Sequence, residues 1–218
     1  MITHRNAAVR AAAADPARSN VAAPSEEESP VGRLGIVLIM AAFILLQATN
    51  ATGMTILTVY DAKPFQLNVM WAGIALGVAA ALEVPALILI GRLGERHSYL
   101  GLIATSCLAG VAYFVGLAFV TGPILLIALQ LLNAWSFAGI AGAGLPLFQQ
   151  MIPRPGLSTG LYTNTRRVGA IVSGPIIAIG SMTVLGQRGI FLICAALTVI
   201  GLVVIAAAQR TQRGRRRD

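Results

Sequence analysis

Six apolar runs, each long enough to cross a bilayer as a helix, leave this chain few folds to choose from. They extend from about Leu34 to Tyr60, Leu67 to Ile90, Tyr99 to Val120, Pro123 to Gln149, Gly160 to Val184 and Gly189 to Ala208. A helix needs about 20 predominantly apolar residues to span ~30 Å of hydrocarbon. A water-soluble fold would have to cover these runs with charged faces. The chain is 56% hydrophobic and 11% charged, with a mean hydropathy of +0.78, whereas an average soluble domain is about 25% charged. A spanning barrel would need segments of about 10 residues with alternating hydrophobicity; these runs are continuous and rich in Gly and Ala. The sequence therefore predicts an all-α, polytopic membrane protein with six transmembrane helices.

The basic residues predict its orientation. Fourteen of the 16 Lys and Arg residues fall before the first run, in the second or fourth connection or just beyond it, or in the tail; Lys63 and Arg188 lie on the other side. The positive-inside rule then places both termini in the cytoplasm of a multi-pass protein of the cell membrane. The net charge of +8 reads as topology plus a basic tail near anionic lipid, and nothing resembles a nucleic-acid-binding module. Three regions follow: a disordered cytoplasmic extension over residues 1–33, the six-helix domain over 34–208 and a basic cytoplasmic tail over 209–218. The extension holds Ala, Pro, Ser, scattered Arg and the acids Glu26 to Glu28, with no apolar core for a signal peptide. Cys107 and Cys194 fall mid-span without metal-ligand spacing and read as small hydrophobes. No metal and no cofactor are implied.

Polar side chains are distributed unevenly. The first run carries Gln47, Thr49, Asn50 and Thr52, the second Glu83, the fourth Gln130 and Asn133, and the fifth Thr163, Asn164, Thr165, Arg166 and Arg167. The third and sixth are nearly bare; their Thr105, Ser106 and Thr198 can satisfy themselves on their own helices, so these runs are expected to face lipid. The order polar, polar, bare, repeated, suggests a three-plus-three repeat of the kind found in secondary transporters. A charge at the bilayer centre costs about 2.5 to 3.5 kcal/mol on insertion scales and is rarely kept without a role. Glu83 is accordingly the candidate for a carboxyl that gains and loses a proton. It shares the smaller-residue side of its helix with Ala72, Leu76, Ala79 and Ala80. Gln47 and Asn50 align on the first helix, and Gln130, Asn133 and Phe137 on the fourth. Amides and aromatic faces on one stripe suit a polyhydroxylated solute. Asn164 and Arg167 share a face of the fifth run; snorkelling to the interface accounts for Arg166 and Arg167, and of the two Arg167 is the better candidate for a cavity residue or a partner of Glu83. Pro85, Pro146 and Pro175 predict local kinks.

At these residues the chain resembles a known family. Leu82-Glu83-Val84-Pro85-Ala86, Gln130-Leu131-Leu132-Asn133-Ala134, Phe148-Gln149-Gln150-Met151-Ile152-Pro153 and Leu161-Tyr162-Thr163-Asn164-Thr165 resemble the C-terminal half of the sugar efflux transporters of the major facilitator superfamily. The resemblance covers residues 34–208. It implies a major-facilitator-type half bundle corresponding to helices seven to twelve of a proton-driven sugar exporter, with residues 1–30 similar to the linker between halves. The connection Gly91-Arg92-Leu93-Gly94-Glu95-Arg96-His97 looks like a degenerate copy of the superfamily's cytoplasmic gating motif, with Glu95 and Arg96 at its acid and base positions. Ser98, Tyr99 and Leu100 depart from its end.

The expected function is proton-coupled efflux of sugars or sugar-like solutes by one half of a twelve-helix transporter. The partners would be the bilayer, the solute, protons and a second six-helix half, either a separate chain or a second copy. Other small polar compounds or drugs are the alternative solutes, and a non-transporting truncated half or assembly partner is the alternative function. An enzyme is disfavoured, because the spans hold no aspartate pair, zinc-ligand set or nucleophile with a base.

Overall fold

The computed structural model describes residues 33–59 and 69–215. The extension before Arg33, the connection carrying Lys63 and the last residues of the tail lie outside them. The described residues form six helices, α1 Arg33–Val59, α2 Val69–Gly94, α3 Tyr99–Ala118, α4 Pro123–Met151, α5 Pro155–Ser181 and α6 Gln187–Arg215, without strands among them. Five are long and apolar enough to cross a membrane. The exception is α5, which has 27 residues but carries Arg166 and Arg167 near its middle. The expected half-bundle of membrane helices is therefore present.

Local chemistry sets the helix boundaries. Ser98 caps α3, its hydroxyl accepting from the Gly101 N–H at 3.2 Å and satisfying one of the first turn's free donors. Pro123 and Pro155 open α4 and α5 at positions where a missing N–H costs nothing. Gly186, at φ 54°, makes the turn into α6. Beyond Ala208 the helix continues through residues first expected as tail, because Ala, Gln and Arg are good helix formers and no Gly or Pro interrupts them before Gly214.

The helices pack by a symmetrical scheme. The main pairings are α1 with α5 and α6, α2 with α4, and α3 with α4 and α6. Exchanging α1–α2–α3 for α4–α5–α6 maps this set onto itself, which is the three-plus-three repeat anticipated from the polar pattern.

Without a hydrophobic driving force between helices in lipid, close approach of backbones supplies much of the packing energy, and small residues permit it. On the antiparallel α3–α4 pair, Ser106 meets Gly139, Gly110 meets Ser136 and Gly116 meets Leu129; a Cβ on Gly110 would lie 2.7 Å from Ser136 Oγ. On α5, Gly169 sits against Gln47 and Ala48 of α1, where a Cβ would lie 2.9 Å from the Ala48 nitrogen. On α6, Gly201 receives Leu46.

Burial within the half-bundle does not follow polarity: half of the apolar stretch of the bare α3 is buried, against 17% of that of α2 and 39% of that of α6. Each bare helix shows one apolar stripe outward, Leu108 and Val115 on α3, continued by Phe119 just past its end, and Val199, Ile200 and Val203 on α6. Their other sides form the back of the bundle. The least covered helices are α2 and α5, because few of the residues on their outer sides find a neighbour in this chain.

Candidate functional site

Two apolar cores fill the bundle. One, around Ile39, Phe43, Ile90, Leu147 and Phe148, lies toward the connection between α2 and α3. The other, around Leu57, Phe114, Leu117, Leu126 and Phe191, lies toward the opposite end. Between them runs a layer containing Gln47, Thr49, Thr52, Ser106, Gln130, Ser136 and Thr198, all buried. Most of these groups are satisfied locally. The hydroxyls of Thr49, Ser106 and Thr198 donate to the carbonyls of Leu46, Leu102 and Cys194 at 2.9, 3.0 and 2.8 Å.

A small cavity opens in this layer. Its lining includes Thr49, Asn50 and Met54 of α1, Leu76 of α2, Tyr113 of α3, Asn133 and Ser136 of α4 and Thr198 of α6. Its free space is about 10 Å3, which holds about one water or one hydroxyl group.

The structure thus brings Asn50 and Asn133, two residues singled out by their helical spacing, to one cavity, and separates the others from it. Gln130 is fully buried behind the cavity, its Nε2 donating to the Leu126 carbonyl at 3.1 Å while its Oε1 accepts from Asn133 Nδ2 at 3.2 Å. Gln47 lies in the α1–α5 seam against Gly169 and approaches the Tyr162 hydroxyl. Phe137 is half-buried and outside the cavity lining, and Asn164 and Arg167 are exposed on α5. Periodicity gathers residues on a face but does not say what that face meets. Tyr113, Ser136 and Thr198 were missed because each resembles an ordinary core or self-satisfied residue.

A second group lies nearer the α2–α3 connection. Glu83 is half-buried on α2, and the charge acting on it is that of Arg166 on α5, which also acts on Tyr162. Of the two neighbouring arginines on α5 it is Arg166, and not the candidate Arg167, whose charge reaches Glu83. The stripe Ser158, Thr165, Gly169, Ser173, Ile176 and Gly180 is the buried side of α5; Tyr162 and Arg166, four residues apart, project from one flank of it, whereas Arg167 lies on the far side. Tyr162 packs edge-on against Phe43 and Phe148, with ring centroids 6.2 and 5.6 Å away. Its hydroxyl donates to the Ala141 carbonyl at 3.2 Å, beside the carbonyl of Gly142 that Pro146 leaves without its usual donor. The link braces α5 against the proline-interrupted part of α4.

At the α2–α3 connection, Gly91 is exposed in the last turns of α2, and Glu95 and Arg96 are exposed in the turn that follows. The turn is held by the N–H groups of Arg96 and His97, which donate to the Leu93 carbonyl at 3.1 and 2.8 Å. Gly94 admits the ring of Tyr99, which a Cβ would approach to 2.6 Å.

The chain was compared with known proteins. No family model matches it. It is 34% identical over 164 residues to sugar efflux transporter A of Dickeya chrysanthemi, covering 74% of this chain and 42% of that protein. It is 31% identical to sugar efflux transporter B of Salmonella typhimurium (68% of this chain, 38% of the relative) and 34% identical to sugar efflux transporter A of Escherichia coli (62% and 34%). The chain spans less than half the length of each of these relatives. They are named as transporters, not enzymes. The half-bundle of membrane helices and these relatives agree: the chain fits the sugar efflux transporter family of the major facilitator superfamily.

Proposed function

We propose that this chain is one half of a proton-coupled exporter of sugars or sugar-like solutes, completed by a second six-helix half. Asn50 and Asn133 contact the solute and Glu83 carries the proton. The observation that carries the reading is the exposed side of α5. Asn164 and Arg167 stand uncovered on a helix otherwise suited to the membrane, where lipid contact for such groups is expensive. A polar pathway between two halves removes that cost. The outward Gly73, Gly77 and Ala81 of α2, the glycines with open space beside them, likewise suit close packing against another helix. The names of the relatives supply the solute class.

Proteoliposomes holding this chain and a second six-helix half from the same family test the reading. Export of radiolabelled glucose or galactose is expected from the pair, falling at least about tenfold for Asn50→Ala with Asn133→Ala, a loss of about 1.4 kcal/mol or more. Full export by the double variant would remove these residues from the solute path. No export by the pair would favour the non-transporting partner.

Both termini are proposed to be cytoplasmic, in keeping with the basic residues. A membrane-impermeant maleimide applied outside cells should label Thr121→Cys and miss His97→Cys. Both positions are exposed, and the native Cys107 and Cys194 are buried. The reverse pattern would overturn the topology.

A further inference from the structure

We propose that Gln130 is a positioning residue that fixes the carboxamide of Asn133 with its oxygen toward the cavity, making the cavity a subsite for one hydrogen-bond-donating hydroxyl of a neutral solute. This rests on the reading of the cavity as part of the solute path.

The orientation follows from a chain of two amides that begins at the backbone. The Leu126 carbonyl can only accept, so Gln130 must present its NH2 group there, at 3.1 Å. Gln130 Oε1 is thereby turned toward Asn133 and can only accept, so Asn133 must present Nδ2, at 3.2 Å. Reversing either amide would set two oxygens against each other in a buried place. Asn133 Oδ1 is left for the cavity that Asn133 lines.

Two of the neighbouring walls point the same way: Thr49 and Thr198 spend their hydroxyl hydrogens on their own helices and can offer the cavity only lone pairs. Asn50, Tyr113 and Ser136 add groups that can also donate. The lining carries no acidic residue, so the acceptors suit a neutral donor better than a cation. With about 10 Å3 of free space, the subsite accepts one hydroxyl, and a group that cannot donate leaves the Asn133 oxygen without its partner.

The test uses the full chain together with the second six-helix half that supports export, in lipid nanodiscs, with glucose, galactose and the 2-, 3-, 4- and 6-monodeoxyfluoro derivatives of glucose, fluorine being similar in size to hydroxyl but unable to donate. One derivative is expected to bind at least about tenfold more weakly than glucose, while the other three stay within about threefold. In Gln130→Leu the Asn133 amide is free to turn its N–H inward, and the gap for that derivative should shrink to within about threefold. Equal binding of glucose and all four derivatives by the unaltered chain would overturn the proposal without any variant. So would sodium-dependent binding indifferent to fluorine, which would assign the acceptors to a cation. Failure of both sugars to bind overturns the solute-path reading itself. The orientation has its own readout in side-chain amide NMR: the Asn133 NH2 should exchange with solvent more slowly than that of Asn50, and lose this protection in Gln130→Leu. Equal exchange in the unaltered chain would overturn the positioning role.

Discussion

Replacing Glu83 by glutamine is expected to abolish export driven by a pH gradient while leaving insertion and solute binding close to normal. Glutamine keeps the shape and hydrogen-bonding capacity of a protonated glutamate but cannot ionise. In the unaltered protein, an ionised Glu83 attracts Arg166 across the space between α2 and α5, and protonation removes the attraction. α2 and α5 do not form one of the main helix pairs, and the charge of Arg166 reaches Glu83 from across that space. On the proposed reading, a proton arriving at Glu83 would change the relation between two helices that local packing leaves comparatively free. Export from proteoliposomes with an acidic exterior should fall at least about tenfold in Glu83→Gln, to the rate seen without a gradient. Solute binding should stay within about threefold. Arg166→Gln should also weaken the response to the gradient, whereas Arg167→Gln should not. Unaltered coupling in Glu83→Gln would reduce Glu83 to a structural hydrogen-bonding residue.

Gly139→Leu should be the most damaging substitution for the fold. Gly139 meets Ser106 where α3 crosses α4, and a Cβ would also lie 3.5 Å from the Leu102 carbonyl. An isobutyl group has nowhere to go unless the backbones separate, and separation would also pull apart the Gly110–Ser136 and Gly116–Leu129 contacts on the same seam. Overpacking typically costs 1–3 kcal/mol, and more where backbone must move; about 3 kcal/mol or more is expected here. Gly77→Leu on α2 is the control, since nothing lies within 4 Å of a Cβ at that position. Size-exclusion chromatography and thermal melting in detergent should show little folded Gly139→Leu and an almost unchanged Gly77→Leu. A monodisperse Gly139→Leu with the melting temperature of the unaltered chain would show that the seam is looser than the contacts indicate.

Much of the candidate site could be read from the chain, but not all of it for the right reason. Helical spacing aligned Asn50 with Gln47 and Asn133 with Gln130, and the first of each pair reached the cavity. Their companions did not: Gln47 turned into the α1–α5 seam and Gln130 became the support behind Asn133. The same spacing chose Arg167 over Arg166, because it counted which residues share a face without locating α2 and α4 around α5.

The sequence by itself determined the number of helices, their approximate lengths and the alternation of polar and bare members. These follow from local rules: apolar length against hydrocarbon thickness, and the requirement that backbone groups in lipid be satisfied within a helix. Only the tertiary structure decided which helices are neighbours, that the bare α3 and α6 brace the back of the bundle, and which amide faces the cavity. The physical reason is that lipid is as apolar as leucine, so hydrophobicity does not mark the inner side of a membrane helix as it does in water. Orientation is set instead by fits between residues far apart in the chain, such as Gly139 with Ser106 and Gly169 with Gln47, and those fits appear only once the helices are assembled.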